Sequence, residues 1–174
     1  MAALPALALD ERASTLEEEI VALFDLMRDP LLRYLLSLGL PLADGEEIVQ
    51  EVFLALFQHL RHGGGRANLR GWIFRVAHNL GLKRRIRKTT ATNVEWEWLA
   101  DPAPGPEEQF CRNEIDRRVQ AVLRALPEQD RRCVMLRAEG LRYREIAGTL
   151  AMSLGAVSMS LARSLARIAR AAER

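Results

Sequence analysis

Apolar side chains recur at three- and four-residue steps along most of this chain, and nowhere do they alternate with period two for long enough to build a sheet. That rhythm predicts an all-α protein. The first helical stretch runs from Leu16 through Ile20, Leu23, Phe24, Met27, Leu31, Tyr34, Leu35 and Leu38. Pro30 predicts a kink or short break inside it, and Gly39 and Pro41 end it. A second helix is expected from Asp44, where Asp44 and Glu47 have the spacing of a capping box. Its stripe is Ile48, Val52, Leu56 and Leu60, widened by Phe53 and Phe57, and it stops at three glycines, 63–65. A third runs from Asn68 to Lys88 with Leu69, Trp72, Ile73, Val76, Leu80 and Ile86 as its apolar positions.

The rhythm is lost over 89–108, where Pro102, Pro104, Gly105 and Pro106 mark a linker that also holds Trp96 and Trp98. Four shorter helices then fit 109–126, 128–139, 142–151 and 154–172, with Pro127 opening the second and Gly140 closing it. The expected architecture is two small helical domains, 10–88 and 112–174, joined by a flexible tether over 89–111.

Charge is segregated along this frame. Residues 10–60 carry 11 acids and 3 bases, whereas 61–88 carry nine bases and no acid. Residues 89–116 carry seven acids and one base, and 117–174 carry twelve bases and five acids. Two separate basic blocks point to two polyanion contacts, and the acidic block ahead of them to a basic protein partner. With 49% hydrophobic residues the chain can build a core, yet no apolar run approaches the roughly 20 residues of a membrane span. The opening MAALPALALDERAS lacks a basic start and runs into acids, which argues against a signal peptide and for the cytoplasm. Cys111 and Cys133 have no CxxC spacing and read as buried or free thiols in a reducing compartment.

Two segments carry the chemistry. Residues 142–167, RYREIAGTLAMSLGAVSMSLARSLAR, place Ile146, Ala147 and Leu150 on the inner face of a short helix. A turn at 151–153 follows, Ser153 can cap the next helix, and Val157, Leu161, Leu165 and Ile168 form that helix's buried face. This is helix-turn-helix spacing, which an ordinary helical hairpin shares. Residues 83–88, KRRIRK, end a helix that also shows Arg70, Arg75, His78 and Asn79. Helix-end cations are favoured by the dipole in any protein, but five in six positions repel one another and call for a polyanion. Trp72 and Phe74 interleave with Arg70 and Arg75, as aromatics that stack unpaired bases do, although Trp72 also fits the apolar stripe.

Three stretches in order, ADGEEIVQEVFLALF at 43–57, NLRGWIFRVAHNL at 68–80 and LPEQDRRCVMLRAEGLRYREIAGTLAMS from Leu126, resemble the sigma-70 family and, within it, the extracytoplasmic-function group. The resemblance runs from about Leu16 to Ala169 and implies a dissociable RNA polymerase subunit that directs promoter recognition, DNA melting and transcription initiation. It implies region 2, docked on the polymerase β′ coiled coil through Glu47, Gln50 and Glu51 beside Val49 and Phe53. The loop His62–Asn68, with Arg66, matches the family's pocket for a flipped-out base, and Asn79 an asparagine near the melted strand. Arg75, Lys83, Arg84, Arg85, Arg87 and Lys88 would hold phosphates. Region 4 would meet the β flap and read duplex promoter DNA with the helix at 154–172, using Arg142, Ser153, Ala156, Ser158, Ser160, Arg163 and Arg167. An anti-sigma factor is a further implied partner, and the acidic linker would lie along the channel where RNA later passes.

The chain departs from the family in two places. The front of the last helix reads Gly155, Ala156, Ser158, Met159 and Ser160, without the usual basic residues, and Arg142 stands where a serine or threonine cap is usual. His59 and His62 are three apart but have no third ligand at suitable spacing, so no metal is expected. There is no P-loop, GxSxG, HExxH or nucleotide-binding glycine fingerprint, so neither a cofactor nor enzymatic chemistry is expected. A stand-alone helix-turn-helix regulator would explain only the last 60 residues. A sigma-like decoy that binds polymerase or an inhibitor without reading DNA would explain the weak recognition helix.

Overall fold

The computed structural model describes residues 4–88 and 106–173, with side chains over 15–87 and 114–173; Trp96, Trp98 and the side chains of Lys88 and Cys111 lie outside these. Its helices are α1 (Leu4–Ser37), α2 (Leu42–Arg61), α3 (Leu69–Lys88), α4 (Pro106–Ala125), α5 (Glu128–Ala138), α6 (Tyr143–Leu150) and α7 (Leu154–Ala172). No strand occurs among the described residues. They fall into two compact units, α1–α3 and α4–α7. No single described helix is long and apolar enough to cross a membrane.

In the first unit α1 does not break at Pro30, contrary to the sequence expectation. A proline removes one hydrogen bond, here the one to the carbonyl four residues back, at Leu26. Leu26 is exposed, so water can serve that carbonyl, while Met27, Leu31, Tyr34 and Leu35 on either side are buried and hold the helix by packing. α2 starts two residues before Asp44, behind Pro41 as N-cap with no side-chain cap. Asp44 therefore lies inside the first turn, and the expected capping box with Glu47 does not form; both carboxylates turn to Arg84 of α3 instead.

The turn after α2 needs glycine. Gly63 has φ +78 and its N–H bonds to the Leu60 carbonyl, while the Gly64 N–H reaches the His59 carbonyl at 2.8 Å. Of the stripe counted from large side chains α3 buries only Ile73, together with Phe74, Ala77 and Gly81. Leu69, Trp72, Val76 and Leu80 are only half-buried and Ile86 is exposed. A Cβ on Gly81 would lie 3.1 Å from both Leu35 and Leu38, so the missing side chain is what lets α3 approach α1.

In the second unit α4 already begins at Pro106, so helix covers residues 106–111 assigned above to the tether. Proline is tolerated in a first turn, and the two glutamates after it suit a helix start. The core is Leu126, Cys133, Leu136, Leu141, Ile146, Val157 and Leu161. Gly140, at φ +85, ends α5, with the Leu141 N–H on the Leu136 carbonyl. The chain turns through 107° between α6 and α7, inside the range of a helix-turn-helix. Ser164 is buried in α7 where Leu165 was expected; Leu165 is 47% exposed. Small residues carry the close approach to the other helices, and a count of large apolar side chains misplaces that phase.

Candidate protein and nucleic-acid interfaces

α2 is divided lengthwise. Ile48, Val49, Val52, Phe53 and Leu56 face the core, whereas Glu47, Gln50, Glu51 and Leu54 share the exposed side at three- and four-residue steps. Phe53 is not a surface contact as expected: it is 5% exposed and packs edge-on against Phe24, centroids 5.1 Å apart. Leu54, 60% exposed beside Gln50 and Glu51, takes its place as the apolar member of that face. Its only sequence signal was being one position off the core stripe.

Arg84 reaches across from α3 to this face. Its guanidinium donates to Glu47 Oε2 at 2.7 Å, to Asp44 Oδ1 at 3.2 Å and to Glu51 Oε1 at 3.2 Å. The hydrogen bond that Arg84 donates to Glu47 raises the Arg84 pKa above its ordinary value against the desolvation that lowers it. Arg84 is thus an internal counter-ion rather than the phosphate contact expected. Arg85 turns inward as well, towards the Leu38 carbonyl at 3.4 Å. Arg75, Asn79, Lys83 and Arg87 are all exposed at four-residue intervals and form one ridge along α3. The cationic cluster read from the sequence therefore splits, and only part of it is presented to a ligand.

Other residues near the ridge are structural. Phe74 is fully buried, edge-on to Tyr34, and cannot stack a base. His78 is buried rather than displayed, with its Nδ1 2.8 Å from the Tyr34 hydroxyl. Trp72 is half-buried and stacks on His59, centroids 5.0 Å apart. In the loop, exposed Asn68 has φ +58 and its side-chain oxygen accepts from the Gly71 N–H, which caps α3. Arg66 pairs with Glu19 of α1. His62 is exposed, its Nδ1 on the Gln58 carbonyl at 2.7 Å. A Cβ on Gly63 or Gly65 would meet nothing within 4 Å, so the loop leaves its backbone open on that side.

In the helix-turn-helix, Ser153 caps α7 by accepting from the Ala156 N–H at 3.1 Å. Arg142 precedes α6, and its backbone N–H donates to Glu145 Oε2 at 2.6 Å. Only this half of a capping box can form, because arginine has no acceptor; the guanidinium stays at the surface. Ser160 is 1% exposed and its hydroxyl donates to Asp130 of α5 at 2.7 Å, which removes it from the DNA-facing set expected above. Asp130 also draws Arg163, at 3.4 Å, though that arginine remains largely exposed. Ala156, Ser158 and Arg167 are exposed as expected. Asp130 escaped sequence reading because an acid in the first turn of a helix already has a local explanation.

Residues 23–92 match the family model for sigma-70 region 2, and residues 116–168 match that for sigma-70 region 4. The chain belongs to the sigma-70 family. Its relatives place it in the extracytoplasmic-function group. It is 31% identical over 125 residues to the ECF RNA polymerase sigma factor SigE of Mycolicibacterium smegmatis, covering 69% of this chain and 48% of that protein. It is 30% identical over 143 residues to the RNA polymerase sigma factor CnrH of Cupriavidus metallidurans, covering 76% of this chain and 75% of that one. The chain spans 35% and 48% of the length of two of the curated relatives it matches. The fold is similar to that of the sigma factor RpoE of Bartonella quintana, solved with the anti-sigma factor NepR, at TM-score 0.66 and 16% identity over 90% of this chain and 98% of that one.

Proposed function

We propose that this chain is a dissociable sigma factor, not an enzyme, which binds core RNA polymerase in the cytoplasm and directs promoter recognition, DNA melting and transcription initiation. The observation that carries this is the division of one three-helix unit, in the segment matching region 2. Its α2 displays Glu47, Gln50, Glu51 and Leu54, while its α3 displays Arg75, Asn79, Lys83 and Arg87. An acidic face with one apolar side chain suits the basic β′ coiled coil. A ridge of cations four residues apart suits the phosphates of a separated strand, with Lys88 continuing it in sequence. The open backbone at Gly63 and Gly65, beside His62, suits a flipped base.

In this reading region 4 comprises α4–α7, meets the β flap, and lays α7 in the major groove. Arg142, Arg163 and Arg167 then serve as phosphate contacts, and Ala156 and Ser158 lie towards the bases. An anti-sigma factor holds the free chain, and the acidic segment between the units follows the RNA channel. Run-off transcription with core polymerase and a promoter library is the test. The expected result is promoter-specific transcripts that depend on the chain. A chain that binds duplex DNA but never core polymerase would be a stand-alone regulator. One that binds core without supporting transcripts would be a decoy. Either result overturns the proposal.

A further inference from the structure

The front of α7 carries almost no polar readout. Between Gly155 and Ala162 its exposed positions are Gly155, Ala156, Ser158, Met159 and Ala162, because Ser160 is turned inward onto Asp130. No guanidinium, amide or carboxylate stands there, and one hydroxyl does. Arginine and lysine read guanine, asparagine and glutamine read adenine, and acids read cytosine; none of those pairings is available to this surface. What it offers is a flat apolar patch with one protrusion. Met159 is 63% exposed, and one turn before it a Cβ on Gly155 would meet nothing within 4 Å, so the helix surface beside it is open.

An isolated exposed methionine on an ordinary surface calls for no explanation. This one sits on the outer side of the second helix of a helix-turn-helix, opposite the buried Val157, Leu161 and Ser164. Cations continue the same helix beyond the patch: Arg163, one turn after Met159, is 64% exposed, and Arg167 is exposed as well. Positive charge beside an apolar patch suits a groove with phosphate walls and an apolar group on its floor. The major groove displays one such group, the 5-methyl of thymine.

We propose that α7 reads the distal promoter element through thymine 5-methyl groups, with Met159 as the specificity-determining residue. This rests on the reading of α6–α7 as the duplex-binding part of a sigma factor. The test uses the full chain bound to core polymerase and a promoter selected from a random library. Thymines of the distal element are replaced one at a time by deoxyuridine, which removes only the methyl group. At one or two positions binding should weaken about fourfold, the worth of one buried methyl-sized contact. Met159→Ala should abolish the thymine–uracil difference at those positions, and Met159→Leu should keep it. Equal binding of thymine and uracil throughout, in an element whose scrambling still weakens binding, overturns the proposal. So does discrimination that persists undiminished in Met159→Ala. If scrambling the element has no effect at all, the duplex-reading role of α7 fails first, and the methyl readout with it.

Discussion

Replacing Arg84 by alanine should damage the acidic face of α2 rather than the grip on DNA. The guanidinium holds Asp44, Glu47 and Glu51 together, and these acids differ in burial: the Asp44 side chain is 10% exposed, Glu47 62% and Glu51 50%. The two exposed pairs are worth about 0.3–0.5 kcal/mol each. The charge-assisted bond to the largely buried Asp44 is worth about 1.5 kcal/mol. Like charges left on one helix face add a few tenths. The expected loss is about 2.5 kcal/mol, or roughly a seventy-fold change in a local opening equilibrium. Amide hydrogen exchange reads this directly, because α5–α7 in the same molecule serve as the unaffected reference. Exchange in α2 and α3 should accelerate by that factor in Arg84→Ala, and less so at high salt, where the exposed pairs are already screened. The salt slope of DNA binding should stay as in the wild type. An α2 exchange rate within twofold of the wild type, together with a lower salt slope, would refute this role, since Arg84 would then be a phosphate ligand after all.

Three further variants separate the roles assigned to α2 and α3. Lys83→Ala with Arg87→Ala, both exposed on the ridge, should leave exchange and polymerase binding unchanged and lower the salt slope of promoter binding by about 0.7 for each single-strand phosphate that is no longer neutralised; an unchanged slope measured over a salt titration would remove the ridge from the DNA interface. Phe53→Ala should destabilise the first unit by about 3–5 kcal/mol as a cavity, whereas Gln50→Ala with Leu54→Ala should leave its unfolding intact and weaken only the pull-down of core polymerase; the converse pattern would place Phe53 at the surface.

Where most helices lie was legible in the sequence, although α1 starts at Leu4 rather than Leu16 and runs through Pro30, and which way they face was not. Element positions follow from glycine and proline punctuation, and α5, α6 and α7 end within about one residue of their expected bounds, inside the usual scatter of helix assignment. Rotational phase follows from packing. Gly81 and Ala77 on α3 and Ser164 on α7 carry the close approaches, yet they count for little in a hydrophobic pattern. That is why Ile86 and Leu165 were expected inside, and why His78, Phe74 and Ser160 were expected outside or at a ligand. The site suffered the same limit. The cations at 83–88 were visible as a block, but the partition of Arg84 to α2, Arg85 towards the Leu38 carbonyl just after α1, and Lys83 and Arg87 to the exposed side depends on which acid or carbonyl each meets across the unit. Asn68 and Ser153 show the reverse case: a polar residue at a helix start had a local role that residue type and position alone could suggest, and Ser153 was so read.

The acids of α2 have a consequence for how tightly the face can hold a partner. Each of the four lies within 3.3 Å of an arginine of its own unit: Glu46 near Arg28, and Asp44, Glu47 and Glu51 near Arg84. A basic partner therefore does not meet a bare row of carboxylates. It must share or displace a counter-ion already in place, so the gain on binding is the difference between two similar ion pairs, not the worth of one. What remains favourable is the burial of exposed Leu54 and the hydrogen bonds of Gln50, neither of which has such a competitor. Charge on this face then steers and aligns the encounter, while the apolar and amide contacts set the residence time. A surface built that way associates readily and releases readily, as the proposed role of a dissociable polymerase subunit requires.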